Sequence, residues 1–185
     1  MTTARDAIAS ARKGATRGFS LVELMVVIAI IGLLLLVAFP AYMEWIQNSR
    51  IRTAAETIQN GLQLARVEAV RRNGTVEFVL SGADSAWTVQ VPGDPPDVIQ
   101  QRAAGEGTSL VTVATEPDGA VSLGYNGLGR VNTTTAAGTP PLQQIDVSMP
   151  TANAPRDLRV TIGADGAIRM CDPSGKLPED DPRRC

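Results

Sequence analysis

"RGFSLVELMVVIAIIGLLLLVAFP", residues 17–40, joins a basic stretch to a long apolar run, and one carboxylate, Glu23, stands where the two meet. From residue 24 to residue 43 the chain carries no charge. A helix of about 20 residues rises roughly 30 Å, enough to cross the hydrocarbon core of a bilayer. A cleaved secretory signal has a shorter apolar core that ends at a small-residue cleavage site. Here the run is long and passes straight into a helical pattern, so a single membrane-spanning helix is expected. Arg5, Arg12, Lys13 and Arg17 against Asp6 give residues 1–18 a net charge of +3. The positive-inside bias keeps such a segment cytoplasmic and places the chain beyond the span outside the cytoplasm. Glu23 is the anomaly, because an ionised acid at the edge of an apolar layer either reaches the interface or needs a partner.

The rest of the chain narrows the chemistry. Its 185 residues allow one domain of ordinary size plus an anchor, and the net charge is −2. Beyond residue 18 there are 13 basic against 18 acidic side chains, so an anion site there must be local. There is no histidine, which removes the commonest general base and most transition-metal sites. No nucleophile–base pair, glycine-rich phosphate loop or catalytic carboxylate pair stands out, so no enzyme activity and no cofactor are expected. The two cysteines, Cys171 and Cys185, lie at the C-terminal end. With an export-type N-terminus they read as a disulfide made in an oxidising compartment, two ligands being too few for structural zinc.

The segment "RGFSLVEL" resembles the processing site of type IV pilins and type II secretion pseudopilins. That resemblance implies cleavage between Gly18 and Phe19 by a prepilin peptidase, and N-methylation of Phe19. It also makes Glu23 the fifth mature residue, where the family carries its glutamate, and puts Gly32 and Pro40 at family positions that loosen the helix. Physical chemistry supplies a reason for the acid. Removing the leader creates an ammonium at Phe19, and Glu23 of a neighbouring helix can neutralise it when helices bundle. Pro40 removes a backbone donor and Gly32 lowers helix propensity, so the segment between them can bend or melt locally during packing.

After Pro40 the helical pattern resumes to about Asn73. Ile51, Ala55, Ile58, Leu62, Ala65 and Ala69 recur at steps of three and four, a stripe for a sheet to cover. Arg52 with Glu56 and Glu68 with Arg72 form i,i+4 pairs, and Asn73-Gly74 is a stop signal. Downstream the pattern is β. "TVEFVL" (75–80) and "AWTVQV" (86–91) predict one hairpin, "SLVTVAT" (109–115) and "AVSLGY" (120–125) a second around Glu116-Pro117-Asp118-Gly119. "QQIDVSM" (143–149) predicts a further strand, and "LRVTIG" with "AIRMC" a last hairpin around Ala164-Asp165-Gly166. "PGDPPD" (92–97) and "NTTTAAGTPP" (132–141) read as loops, the second expected to be mobile, and "NGLGR" (126–130) as a turn. Trp87 alternates in phase with Val89 and Val91, which assigns it to the core.

The stretch "AAETIQNGLQLARVEAVRRNGTVEF" followed by "AWTVQV" is similar to the GspH/FimT group of minor pilins and pseudopilins. The resemblance implies an α+β pilin fold, a long N-terminal helix packed on an antiparallel sheet domain. The expected parts are a cleaved cytoplasmic leader at 1–18 and a transmembrane, filament-core helix at 19–43. An amphipathic helix at 44–74 and a periplasmic β-rich domain at 75–185, with its disulfide loop, complete the chain. The implied function is that of a minor type IV pilin. A minor pseudopilin of the type II secretion system and a DNA-uptake adapter of a competence pilus are the alternatives. Implied partners are other pilin or pseudopilin subunits, the prepilin peptidase, the inner-membrane assembly platform, the membrane itself through one span, and DNA. FimT-like proteins are associated with DNA capture through a Gly-Arg-x-Arg motif. The matching stretch here, Gly166-Ala167-Ile168-Arg169, lacks the first arginine, leaving Arg159, Arg169, Arg183 and Arg184 as the candidate basic patch. Pairing of these arginines with residues 179–181 is the competing reading. Asp172, Glu179, Asp180 and Asp181 match no calcium-loop spacing, so no metal is expected.

Overall fold

The computed structural model describes residues 18–82, 84–103, 105–150 and 156–185. Residues 1–17, which make up nearly all of the expected leader, lie outside the described residues. The chain order is α1 (Leu21–Arg72), β1 (Val76–Leu80), β2 (Trp87–Val91), β3 (Asp97–Arg102), β4 (Thr112–Glu116), β5 (Ser122–Tyr125), β6 (Gln144–Ser148), β7 (Leu158–Ile162) and β8 (Ile168–Cys171). The chain divides after Pro40 into two units.

In the first unit α1 begins on a side-chain cap. Ser20 Oγ accepts the Glu23 N–H at 3.1 Å, and the Ser20 carbonyl accepts from Leu24. Ser20 is thus the N-cap and Glu23 the third helical residue, the spacing of a capping box and a position where the helix dipole favours an acid. The helix is unbroken through Gly32 and Pro40, so the expected loosening leaves no gap in it. Pro40 still cannot donate to the carbonyl four residues earlier.

In the second unit α1 ends on a residue in the left-handed conformation. Asn73 has φ 47°, its N–H bonds the Val70 carbonyl at 3.2 Å, and Gly74 N–H bonds the Ala69 carbonyl at 3.1 Å. Those two bonds make a Schellman motif, with asparagine rather than the following glycine in the left-handed place. The predicted stripe, Ile51, Ala55, Ile58, Leu62, Ala65 and Ala69, is fully buried. Gly61 lies on the same face and lets helix and sheet approach closely. A Cβ there would stand 2.8 Å from the Phe78 ring and 3.0 Å from that of Trp87.

The strands form two four-stranded antiparallel sheets, one in the order β3-β2-β1-β5 and the other β4-β6-β7-β8. The β1–β2 and β7–β8 hairpins form as predicted. The second expected hairpin does not: β4 pairs with β6 and β5 with β1. The turn between them is real, with Ala120 N–H on the Pro117 carbonyl at 2.9 Å, but it carries the chain from one sheet to the other. Burial explains the crossing. All four residues of β5 are buried, whereas β4 alternates between exposed and covered positions. A strand covered on both faces belongs inside the domain, next to β1, and not beside a half-wet neighbour.

β3 was not anticipated by the pattern, because "DVIQQR" is exposed on most positions and lacks alternation. It adds to the edge of the first sheet through a register shift at Val89/Gln90. The loop at 132–141 is also more fastened than expected. Ala136 N–H donates to Glu77 Oε1 at 2.8 Å, Asn132 N–H to the Gly124 carbonyl at 2.8 Å, and the Thr135 and Thr139 hydroxyls meet at 2.8 Å. Glu77, on the side of β1 opposite Val76, Phe78 and Leu80, is buried beneath it. Trp87 is a core residue, 4% exposed and 5.9 Å from Phe78 between ring centroids.

One core serves both sheets. Phe78, Trp87, Leu123 and Tyr125 from the first join Val113, Ile145, Val147 and Val160 from the second against the α1 stripe. Arg66 secures that junction at the C-terminal end of the helix. Its Nε donates to the Gly129 carbonyl at 3.0 Å, in the 126–130 turn after β5, and Val131 N–H reaches the Ala164 carbonyl in the β7–β8 turn at 3.2 Å.

Candidate functional sites at the two ends of the chain

The residues expected to be processed lie at the start of the described chain. Gly18 and Phe19 precede α1, and Phe19 is 87% exposed. Glu23 is exposed in the first turn, and among the described residues it makes no ion pair. Behind it every residue from 24 to 43 is exposed, in a helix whose most apolar 18-residue window has a mean hydropathy of 3.0. An apolar surface that size does not stay in water; it marks contact with lipid or with other helices. The Ser20 cap uses the Glu23 backbone N–H, and the acid stands in the first turn, where the helix dipole favours it. A serine three residues before an acid is a sequence-level signal for such a cap.

At the other end Cys171 and Cys185 are joined, with Cα atoms 5.0 Å apart. The bond fastens the chain end beside β8, where Asp172 and Arg184 form an isolated parallel bridge. Asp172 N–H donates to the Arg183 carbonyl at 2.6 Å and Cys185 N–H to the Asp172 carbonyl at 3.2 Å. The Asp172 side chain is buried and accepts the Ser174 N–H at 2.9 Å. Burial alone would raise its carboxyl, but the hydrogen bonds from Ser174 and the charges of Arg156 and Lys176 hold it below the usual carboxylate range.

The four candidate arginines are brought into one neighbourhood but not into a free cationic patch. Arg159 sits opposite Cys171 in the β7–β8 register and Arg169 opposite Thr161, so both lie on the outer face of the second sheet. Arg159 is bound to Asp146 by two bonds of 2.6 and 3.0 Å, and that hydrogen-bonded pairing raises the guanidinium further. Arg183 grips Asp181 at 3.0 and 2.7 Å and, chiefly through that bond, holds its carboxyl at about 2. Arg184 reaches Glu179 at 3.9 Å. The competing reading, arginines paired with residues 179–181, describes Arg183 and Arg184 as the structure has them.

A long capped helix whose first part offers an unshared apolar surface, followed by a part laid on antiparallel sheets, defines a pilin-like subunit. The family described as "Type II transport protein GspH" matches residues 54–166, and the "Prokaryotic N-terminal methylation motif" matches residues 13–39. The chain belongs to the GspH family, whose members are structural proteins of pili and pseudopili. Among relatives, it is 43% identical over 60 residues to a fimbrial protein of Moraxella nonliquefaciens, covering 32% of this chain and 38% of that protein. It is 34% identical over 115 residues to the fimbrial protein EcpC of Eikenella corrodens, covering 62% of this chain and 72% of that one. The fold is that of the type IV minor pilin FimU of Pseudomonas aeruginosa, with a TM-score of 0.53 at 17% identity over 73% of this chain and 97% of the other. The apolar helix and the family together mark this chain as a membrane-anchored pilus or pseudopilus component.

Proposed function

We propose that this chain is a minor subunit of a type IV pilus, held by residues 19–43 in the inner membrane with residues 75–185 in the periplasm until it joins or primes a filament. The observation that carries the reading is the first part of α1: residues 24–43 are exposed all round, directly after Gly18, Phe19 and a capped Glu23. In this reading the prepilin peptidase cuts after Gly18 and methylates Phe19, the assembly platform extracts the subunit, and the Phe19 amine of one subunit meets Glu23 of another. A charge pair completed only on correct docking acts as a register device, since each charge left alone in an apolar bundle is costly. Gly32 and Pro40 supply local weakness for that docking, and residues 44–74 carry the domain. The fimbrial relatives and the FimU fold support the pilus.

The family description favours a second reading, a minor pseudopilin of the type II secretion machine with the same assembly physics. Deleting the gene and scoring twitching, transformation and secretion together separates the two. The DNA-uptake reading draws less support, because Arg159, Arg183 and Arg184 each already face a carboxylate. It requires duplex binding whose salt slope shrinks when Arg183 and Arg184 become alanine. Mass spectrometry of the membrane-extracted protein tests the leading reading. Loss of residues 1–18 with a methylated Phe19 is expected, and an intact Met1 sinks it.

A further inference from the structure

A groove of about 570 Å³ opens beside the disulfide, between the α1 residues just past Met43 and the start of β7. Its lining is two-toned. Leu158, Met170 and Leu177, all half-buried, line it with apolar surface, and Arg52, Arg156 and Arg183, all exposed, supply the cations. Glu44 and the buried Asp172 are the acids in the lining. Arg52 approaches Glu56 only at 3.7 Å, and Arg183 holds Asp181. Arg156 makes no ion pair among the described residues. Its backbone N–H donates to Asn48 Oδ1 at 3.0 Å, which ties the entry of β7 to the helix and fixes one wall.

The groove's address in the chain says what reaches it. Glu44 and Trp45 come one and two positions after the last uncharged residue, Met43. Two residues span at most about 7 Å however the chain turns, and the polar layer on each side of a bilayer core is about 5–8 Å deep. With residues 24–43 in the hydrocarbon, Trp45 therefore stands in the headgroup layer. Tyr42 and Trp45 are both exposed, with ring centroids 6.2 Å apart, in the manner of interfacial aromatics.

We propose that this groove binds the headgroup of a zwitterionic aminophospholipid while the subunit waits in the membrane. Arg156 and Arg52 take the phosphate, Glu44 the ammonium, and the apolar lining the glycerol and first methylenes. A free phosphate would leave that lining in water. Arg156, without an ion pair among the described residues, and the exposed acid Glu44 suit a phosphate accompanied by an amine better than a cluster of anions. Lipid held here orients the domain on the membrane surface, and removal of the helix from the bilayer releases it. The assignment rests on the apolar run entering a membrane, and membrane fractionation of the same proteins reads that separately.

The test is native mass spectrometry of the full chain in detergent, titrated with dihexanoyl phosphatidylethanolamine. The wild type and the Arg130→Ala control, a surface arginine away from the groove, retain the lipid. The double variant Arg52→Ala/Arg156→Ala, both exposed positions, retains it about tenfold less while melting like the wild type. The single charge reversal Arg156→Glu shows the same loss. Equal retention by all four proteins overturns the proposal. So does displacement of the lipid by an equal concentration of inorganic phosphate, which would make the groove a free-anion site, or an equal loss in Arg130→Ala, which would make the effect one of net charge.

Discussion

Between residues 24 and 43 every side chain of α1 is exposed, whereas Ile51, Ala55, Ile58, Leu62, Ala65 and Ala69, further along the same helix, are fully buried. Both stretches are helical and both are rich in apolar residues, yet their patterns differ. The first is apolar around the whole cylinder; the second carries one stripe, made largely of alanine. A single domain can cover one face of a helix and no more. The stripe therefore belongs to the chain's own sheets, and the all-round surface to lipid or to other helices. The charges follow the same division. Arg52–Glu56 and Glu68–Arg72 pair within the second stretch, while Glu23 at the head of the first makes no ion pair among the described residues.

That contrast can be broken at Glu23. Replacing it with alanine keeps the Ser20 cap, which uses the backbone N–H, and gives up only a small dipole contribution at an exposed helix start, so membrane insertion and domain stability stay nearly unchanged. On the proposed pairing with Phe19, incorporation into filaments falls at least tenfold, because the ion pair loses one partner and the charge left alone in an apolar bundle costs about 3–5 kcal/mol. The check is the ratio of sheared-filament to membrane-bound protein. Normal incorporation would refute the charge-pairing account.

In the second unit the disulfide is the next largest effect. The Cys171→Ser/Cys185→Ser variant frees a chain end closed over a separation of 14 positions, and loses about 3 kcal/mol by the chain-entropy account of a loop this size. The unfolding midpoint should fall and the slope rise slightly, since the freed chain end lets the unfolded state expose more surface.

The two helix glycines sharpen the comparison further, because the same substitution has opposite signs. Gly61→Ala drives a methyl against Phe78 and Trp87 and costs about 1–3 kcal/mol through overpacking. Gly32→Ala meets nothing within 4 Å and raises helix propensity by about 1 kcal/mol. Thermal melts should show Gly61→Ala well below the wild type and Gly32→Ala at or above it. A Gly61→Ala protein as stable as the wild type would show that helix and sheet need no such close approach.

The smallest effect is electrostatic and lies in the C-terminal loop. The Asp181 carboxyl is lowered from 3.8 to about 2, first by its hydrogen bond from Arg183. A depressed acid adds stability that is complete above its unfolded pKa and lost as pH falls through the folded one. The stability this pairing adds should therefore be complete above pH 3.8 and fade as pH falls toward about 2, where the folded carboxyl itself takes up its proton. A carbon-detected titration of Asp181 should show that midpoint, and Arg183→Ala should return it toward the ordinary value near 3.9.

Much of this fold is legible in local signals of period, turn chemistry or composition: the uncharged run, the stripe to Ala69, the β1–β2 and β7–β8 hairpins and the terminal disulfide. The features that escape such signals share a cause. Thr112–Glu116 and Ser122–Tyr125 flank a good turn, and a turn says only that the chain reverses, not which neighbour each strand then takes. "DVIQQR" becomes a strand because β2 has an open edge to offer, not because of its own pattern. The arginines around the disulfide look like one patch in sequence, and their acidic partners become visible only with the side chains placed.

By itself the sequence determined what is written in period and charge: a helix that must be shared with other molecules along its first part, a stripe that must be covered along its second, and an acid at the entrance. The tertiary structure alone decided which strands are neighbours, that Glu77 is buried under the 132–141 loop, and that a two-toned groove opens between Glu44 and the start of β7. The reason is distance along the chain. Periodicity and capping act within a few residues, whereas Arg156 meets Asn48 across 108 positions and Arg66 meets Gly129 across 63, and only the packed core brings such pairs together.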